Sequence, residues 1–184
     1  MIGTISLLAL GAIVIPFVVA LIIVVAPQPC AKWLCIGAAS VSTALTIAVW
    51  AMLAQNGGET VTVALASMGN ATILSLIFDK MSVMLATAFV GIGLLISIYS
   101  VGYMNAGNRE HPDAPRRRFY AFFTVFIGAM AGLVYSDTLV CQLVFFEITG
   151  ACSWALIGYY GTPTANKSAM KALILTHIGA LGLY

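Results

Sequence analysis

Charge is what this sequence has least of. Only 8% of its 184 residues are Asp, Glu, Lys or Arg, against roughly a quarter in a soluble domain. With 61% hydrophobic residues and a mean hydropathy of +1.04, it cannot cover itself with a water-compatible surface. That excludes an ordinary soluble enzyme or binding domain. It points to an all-α polytopic membrane protein whose first partner is the lipid bilayer. Cysteine is scarce as well, with 4 residues. Cys141 and Cys152 fall on one predicted helix at heights about 16 Å apart, which forbids a disulfide between them. Cys30 and Cys35 straddle a predicted cytoplasmic turn, where thiols stay reduced. There is no group of close ligands for zinc or an iron–sulfur cluster, and no haem-attachment motif, phosphate loop or dinucleotide fingerprint. No catalytic residue, cofactor, metal or nucleic-acid partner is assigned. Lys and Arg are also missing before the first apolar run, and Pro27–Cys30 makes a poor cleavage site. The first helix is therefore not read as a removable signal peptide.

Long apolar runs are what the chain has in their place. A crossing needs about 20 mostly apolar residues. Ile5–Ala26, Trp33–Ala54, Met81–Tyr103, Phe119–Tyr135, Thr138–Tyr160 and Ser168–Tyr184 qualify, so about six transmembrane helices are expected. The fourth is short, and Tyr135-Ser136-Asp137 turns the chain directly into the fifth. Asp137 reads as a helix cap. Pro16 is expected to kink the first helix.

The few charges orient these spans. Lys32, Arg109, Arg116, Arg117, Arg118 and Lys167 fall on one side, and Glu59, Asp79, Lys80 and Asp137 on the other. The positive-inside rule makes the first side cytoplasmic and puts the amino terminus outside. Trp33, Trp50, Tyr99, Tyr103 and Tyr160 sit near helix ends, as an interfacial aromatic belt requires. The chain divides into a three-helix segment (1–103) with an external loop (55–80), a cytoplasmic loop (104–118), and the remaining helices (119–184). In the external loop, Thr60–Ser67 and Ala71–Phe78 flank Met68-Gly69-Asn70 and predict a β-hairpin. The cytoplasmic loop ends in Arg116-Arg117-Arg118. That run either sets topology or meets a partner subunit or anionic lipid.

One carboxylate lies where carboxylates are rare. Glu147 is about 15 Å deep in the fifth helix, where a charge costs roughly 2.5–3.5 kcal/mol by the mildest insertion scales. Thr149, Gly150, Ala151, Cys152 and Ser153 follow it, and such small residues let helices approach closely. Glu147 should therefore face protein or internal water. A carboxyl so placed either changes protonation as a neighbour moves, as a proton relay requires, or stays protonated and hydrogen-bonds across helices. On the next helix, His177 comes to a similar depth and Lys171 lies one to two turns nearer the cytoplasm. Glu147, His177 and Lys171 would then form a polar track. Lys171 is also shallow enough to snorkel, and His177 can equally bridge to a backbone carbonyl. Thr176 is expected to bond its own helix. Gly128-Ala129-Met130-Ala131-Gly132 has the small-xxx-small spacing of packed membrane helices, and Gly91 and Gly93 read the same way.

Phe145-Phe146-Glu147-Ile148-Thr149-Gly150-Ala151-Cys152-Ser153-Trp154-Ala155-Leu156-Ile157 and Ser168-Ala169-Met170-Lys171-Ala172-Leu173 carry a resemblance. They are similar to the fifth and sixth helices of the antiporter-like subunits shared by respiratory complex I, Mrp-type cation/proton antiporters and membrane-bound hydrogenases. Tyr99–Tyr103, Arg109–Pro112, Val125–Val134 and Thr176–Gly179 extend the likeness. Within that group the chain most closely resembles the hydrogenase-4 component D family. The resemblance implies that Glu147 matches a membrane glutamate central to proton translocation, and that residues 119–184 begin the proton-translocation repeat. It implies a multi-pass protein of the bacterial inner (cytoplasmic) membrane. Its partners would be the other membrane and hydrophilic subunits of a hydrogenase or complex I-like assembly. Members of that group have more than a dozen helices in two inverted repeats. On this reading the chain is an amino-terminal fragment, without the seventh-helix lysine that tunes the glutamate, and is not expected to move protons alone. A Mrp-type antiporter subunit and a structural membrane scaffold remain the alternatives.

Overall fold

A computed structural model describes residues 2–55, 57–68, 71–104 and 116–182. The expected turn at Gly69-Asn70 and the stretch Arg109–Pro112 lie outside the described residues. The order of elements is α1 (Ile2–Val25), α2 (Gln28–Gln55), β1 (Val61–Met68), β2 (Ala71–Phe78), α3 (Lys80–Tyr103), α4 (Arg116–Tyr135), α5 (Leu139–Ile157) and α6 (Pro163–Leu181). The first five helices are long and apolar enough to cross a membrane. The sixth expected span is helical but does not reach that apolarity. It starts at Pro163, earlier than its apolar run, because Thr162 caps it by accepting from the Ala165 amide and Pro163 suits the first helical position.

Helix α4 is central, touching α1, α2, α3 and α5. Lipid tails are as apolar as leucine, so burial of leucines does not hold such a bundle together; close packing does. The small residues of α4 supply it. A Cβ on Gly128 would stand 2.9 Å from the Ile13 carbonyl oxygen of α1, and one on Gly132 would strike the Phe145 ring of α5. Gly93 of α3 admits the Ile127 side chain of α4 in the same way. Gly91 does not, having open space around it; the spacing rule does not say which face a glycine occupies.

Most polar groups inside the bundle are answered locally, although the buried Tyr135 hydroxyl of α4 has no hydrogen-bond partner. Pro16 is buried within α1 and has no N–H for the Ala12 carbonyl one turn earlier. The Ser42 hydroxyl of α2 donates to that carbonyl in its place, at 3.1 Å. Tyr120 donates to the Ser100 carbonyl at 3.3 Å, and the Cys35 thiol meets the Ser97 hydroxyl at 3.6 Å. Each such interhelical bond is worth about 0.6 kcal/mol in membranes.

The hairpin is present, and its strands pair antiparallel with Val61 opposite Phe78 and Met68 opposite Ala71. Register shifts leave Leu65 and Ile73 out of the pairing. The freed Ile73 carbonyl accepts the Thr138 hydroxyl at 2.7 Å. Alongside, the Asp137 amide donates to the Ser75 carbonyl, and the Ser75 hydroxyl donates to the Asp137 carboxylate. The exposed edge of β2 is thus tied to the α4–α5 turn, with Phe78 packed edge-on against Tyr135. This revises the expected role of Asp137. Thr138 caps α5, accepting from the Cys141 amide, and Asp137 binds the hairpin.

Candidate functional site

Glu147 lies near the middle of α5, and α6 returns antiparallel beside it. Gly150, one turn after Glu147, faces Thr176 of α6; a Cβ there would stand 3.6 Å from the Thr176 hydroxyl, an ordinary contact. That hydroxyl donates to Leu173 O within its own helix, at 2.9 Å. The next residue, His177, presents Nε2 to Glu147 Oε2 at 2.7 Å. Its Nδ1 lies 2.9 Å from the same Leu173 carbonyl.

This second contact fixes the chemistry of the first. A carbonyl oxygen only accepts, so Nδ1 carries its hydrogen toward Leu173. Nε2 is then the atom free to gain or lose a proton. When the imidazole is neutral, Nε2 accepts a hydrogen bond from a protonated Glu147. When the imidazole is charged, Nε2–H donates to the carboxylate. Both arrangements keep the same partners and hold the same single proton between them. Sequence reasoning could reach the depth of Glu147 and His177, but not the Leu173 carbonyl, whose only signal is its place four residues before His177.

The pair is only half enclosed, with side-chain exposures of 36% for Glu147 and 48% for His177. It opens onto a groove of about 260 Å³ lined by Leu143, Glu147, His177, Ala180 and Leu181. Apart from Glu147 and His177 themselves, the lining of that groove is apolar. Lys171 does not join the pair. It is exposed, and six residues of helix place it about 9 Å along α6 and about 120° around it from His177. Among the described residues Lys171 has no carboxylate partner, and none offers a cluster of metal ligands.

Residues 67–120 match the family described as NADH-ubiquinone oxidoreductase (complex I), chain 5 N-terminus. The NADH-quinone oxidoreductase subunit L of Mycobacterium tuberculosis is 40% identical over 106 residues, covering 57% of this chain and 16% of that protein. The chloroplastic NAD(P)H-quinone oxidoreductase subunit 5 of Zygnema circumcarinatum is 31% identical over 153 residues, covering 82% and 21%. The Na(+)/H(+) antiporter subunit A1 of Staphylococcus haemolyticus is 34% identical over 109 residues, covering 59% and 13%. The chain therefore spans less than a quarter of the length of these relatives. With its apolar helices and small hairpin, the chain is similar to the amino-terminal part of the antiporter-like membrane subunits typified by complex I chain 5.

Proposed function

We propose that this chain is part of a proton-translocating membrane subunit in a complex I-like assembly, and that Glu147 and His177 hold and pass the proton. One observation carries the reading: a carboxylate and an imidazole meet at 2.7 Å between α5, which is apolar enough to cross a membrane, and α6 packed beside it, with the second imidazole nitrogen tied to a carbonyl. The transfer moves one proton from the Glu147 carboxyl to His177 Nε2, leaving a carboxylate beside an imidazolium. The return step restores the neutral pair. A charge change elsewhere in the assembly biases this exchange, because in a low-dielectric setting nearby charges are weakly screened. The groove beside the pair leaves its open face accessible to a proton donor or acceptor supplied by the rest of the assembly. Lys171 is assigned to the same path as a separate station nearer the arginine-bearing end. That end is taken as cytoplasmic, since Lys32, Arg116, Arg117, Arg118 and Lys167 gather there.

The assembly is tested with the subunit in place and its electron-transfer partner running. Glu147→Gln keeps the shape and the hydrogen bond but cannot release a proton. Coupled proton movement, read with a pH-sensitive dye in closed vesicles, is expected to fall at least tenfold while the complex still assembles. Unchanged proton movement in an assembled Glu147→Gln complex would sink the reading and leave a structural scaffold.

The finer assignment is to a hydrogenase-type assembly. It is supported by the likeness of Tyr99–Tyr103, Val125–Val134 and Thr176–Gly179 to the hydrogenase-4 component D family. The similarity to a Na(+)/H(+) antiporter subunit favours a second reading, in which the same pair serves cation/proton exchange. Hydrogenase genes beside this one would support the first partner set, and a cation-antiporter operon would replace it with the second.

A further inference from the structure

The bundle carries a second feature, remote from Glu147. Near the arginine-bearing end, an apolar groove of about 320 Å³ runs between α1 and α4. Its floor is Leu21 and Val24 of α1 with Ala121, Phe122 and Val125 of α4, and Gln28, Arg117 and Arg118 complete the lining. Arg118 lies over the Phe122 ring, 5.8 Å from its centroid, so its charged head stands directly above the apolar floor. Arg117 reaches the other way, donating to the Ala26 carbonyl at the end of α1, at 3.4 Å. Among the described residues neither arginine has a carboxylate partner. A second, shallower apolar trough lies on the other side of Leu21, lined by Val18, Ile22, Val25 and Ala26. Arg117 lines the first groove, and the Ala26 carbonyl it meets belongs to a residue lining the second.

We propose that this groove binds one anionic phospholipid of the adjoining leaflet, with its phosphate between Arg117 and Arg118 and its acyl chains along the troughs flanking Leu21. Charge complementarity selects that occupant. A soluble anion would satisfy the guanidiniums and leave the apolar floor uncovered. An apolar helix would cover the floor and leave two cations unpaired. A second copy of this chain would bring its own arginine run against this one. A lipid with an anionic head and apolar tails meets both parts at once, and guanidiniums suit phosphate through paired N–H donors.

The test is native mass spectrometry of the purified chain in detergent, titrated with phosphatidylglycerol or phosphatidylcholine. The wild type is expected to retain one phosphatidylglycerol in clear preference to phosphatidylcholine. Each arginine near an anionic head is worth about fivefold, so Arg117→Gln/Arg118→Gln should weaken phosphatidylglycerol binding by roughly 25-fold and leave phosphatidylcholine unchanged. Arg117→Lys/Arg118→Lys keeps the charge and should retain most of the binding. Val24→Trp, which fills the groove and spares the charge, should reduce it. If the glutamine variant does not insert, the lysine and tryptophan variants still decide the matter. Equal retention of the two lipids, insensitivity to Val24→Trp, or a lipid-free dimer would each overturn the proposal.

Discussion

The central helix α4 and the α5–α6 pair are built to different standards. In the most apolar window of α4, 56% of the residues are buried, against 33% in each of α1, α2 and α3 and 28% in α5. Helix α6 buries only Ala169 and Ala180 among its described residues. For an apolar side chain that difference costs little, because lipid replaces protein contact almost evenly. For a carboxylate and an imidazole it costs a great deal, because lipid offers them no hydrogen bonds. Helix α4, enclosed by α1–α3, therefore meets its packing needs and most of its polar ones, the Tyr135 hydroxyl excepted. The Glu147–His177 pair meets only its internal ones, and needs protein or water against its open face. An enclosed central helix beside a half-open pair suits the proposed relay, since the proton must reach the pair from somewhere.

The contrast can be broken by adding one atom to each region. Gly128→Ala would push a methyl to 2.9 Å from a backbone carbonyl of α1, which has no flexible end to yield. Overpacking of this kind costs about 1–3 kcal/mol. Gly179→Ala in α6 has nothing within 4 Å to strike, and should lie within about 1 kcal/mol of wild type through helix propensity alone. Thermal unfolding in one detergent compares them directly. Similar losses in both would mean that α6 is as tightly held as α4. A smaller effect is expected from Ser42→Ala, which leaves the Ala12 carbonyl beside Pro16 without its donor. In membranes the loss should be about 0.6–1.7 kcal/mol. The same substitution with Pro16→Ala should cost less, because an alanine N–H can serve that carbonyl. Additive losses would show that Ser42 acts elsewhere.

How much of this could be read in advance depends on which force set each feature. Apolar length placed the helices, and β-branched runs around a Gly-Asn turn placed the hairpin within a residue at each strand start. Glu147 stood out by its cost alone. Features set by three-dimensional contact were not legible. Nothing local distinguishes Gly91 from Gly93, yet only Gly93 meets a neighbour. Asp137 looked like a cap because it precedes a helix, but the bulge that frees Ile73 draws Thr138 and Asp137 into different roles. The start of α6 was missed because its first turn is polar, and hydropathy is blind to a capped polar turn.

The smallest expected effect lies where the hairpin hands over to α3, and it probes the enclosed region alone. Asp79 and Ser82 form a reciprocal cap: the carboxylate accepts from the Ser82 amide at 2.9 Å, and the Ser82 hydroxyl accepts from the Asp79 amide at 3.0 Å. The hydrogen bond from Ser82 holds the Asp79 carboxyl below its ordinary range. The folded state thus binds a proton less readily than the unfolded chain. The cap's contribution is full above the unfolded value near 3.8 and is lost as pH falls through the lower folded value. Asp79→Asn keeps a capping side chain but removes the titration. The stability difference between wild type and Asp79→Asn should therefore be constant above about pH 5 and shrink toward pH 3. A difference that stayed flat through that window would mean that the Ser82 bond does not favour the ionised cap. The enclosed region would then owe none of its acid sensitivity to this junction.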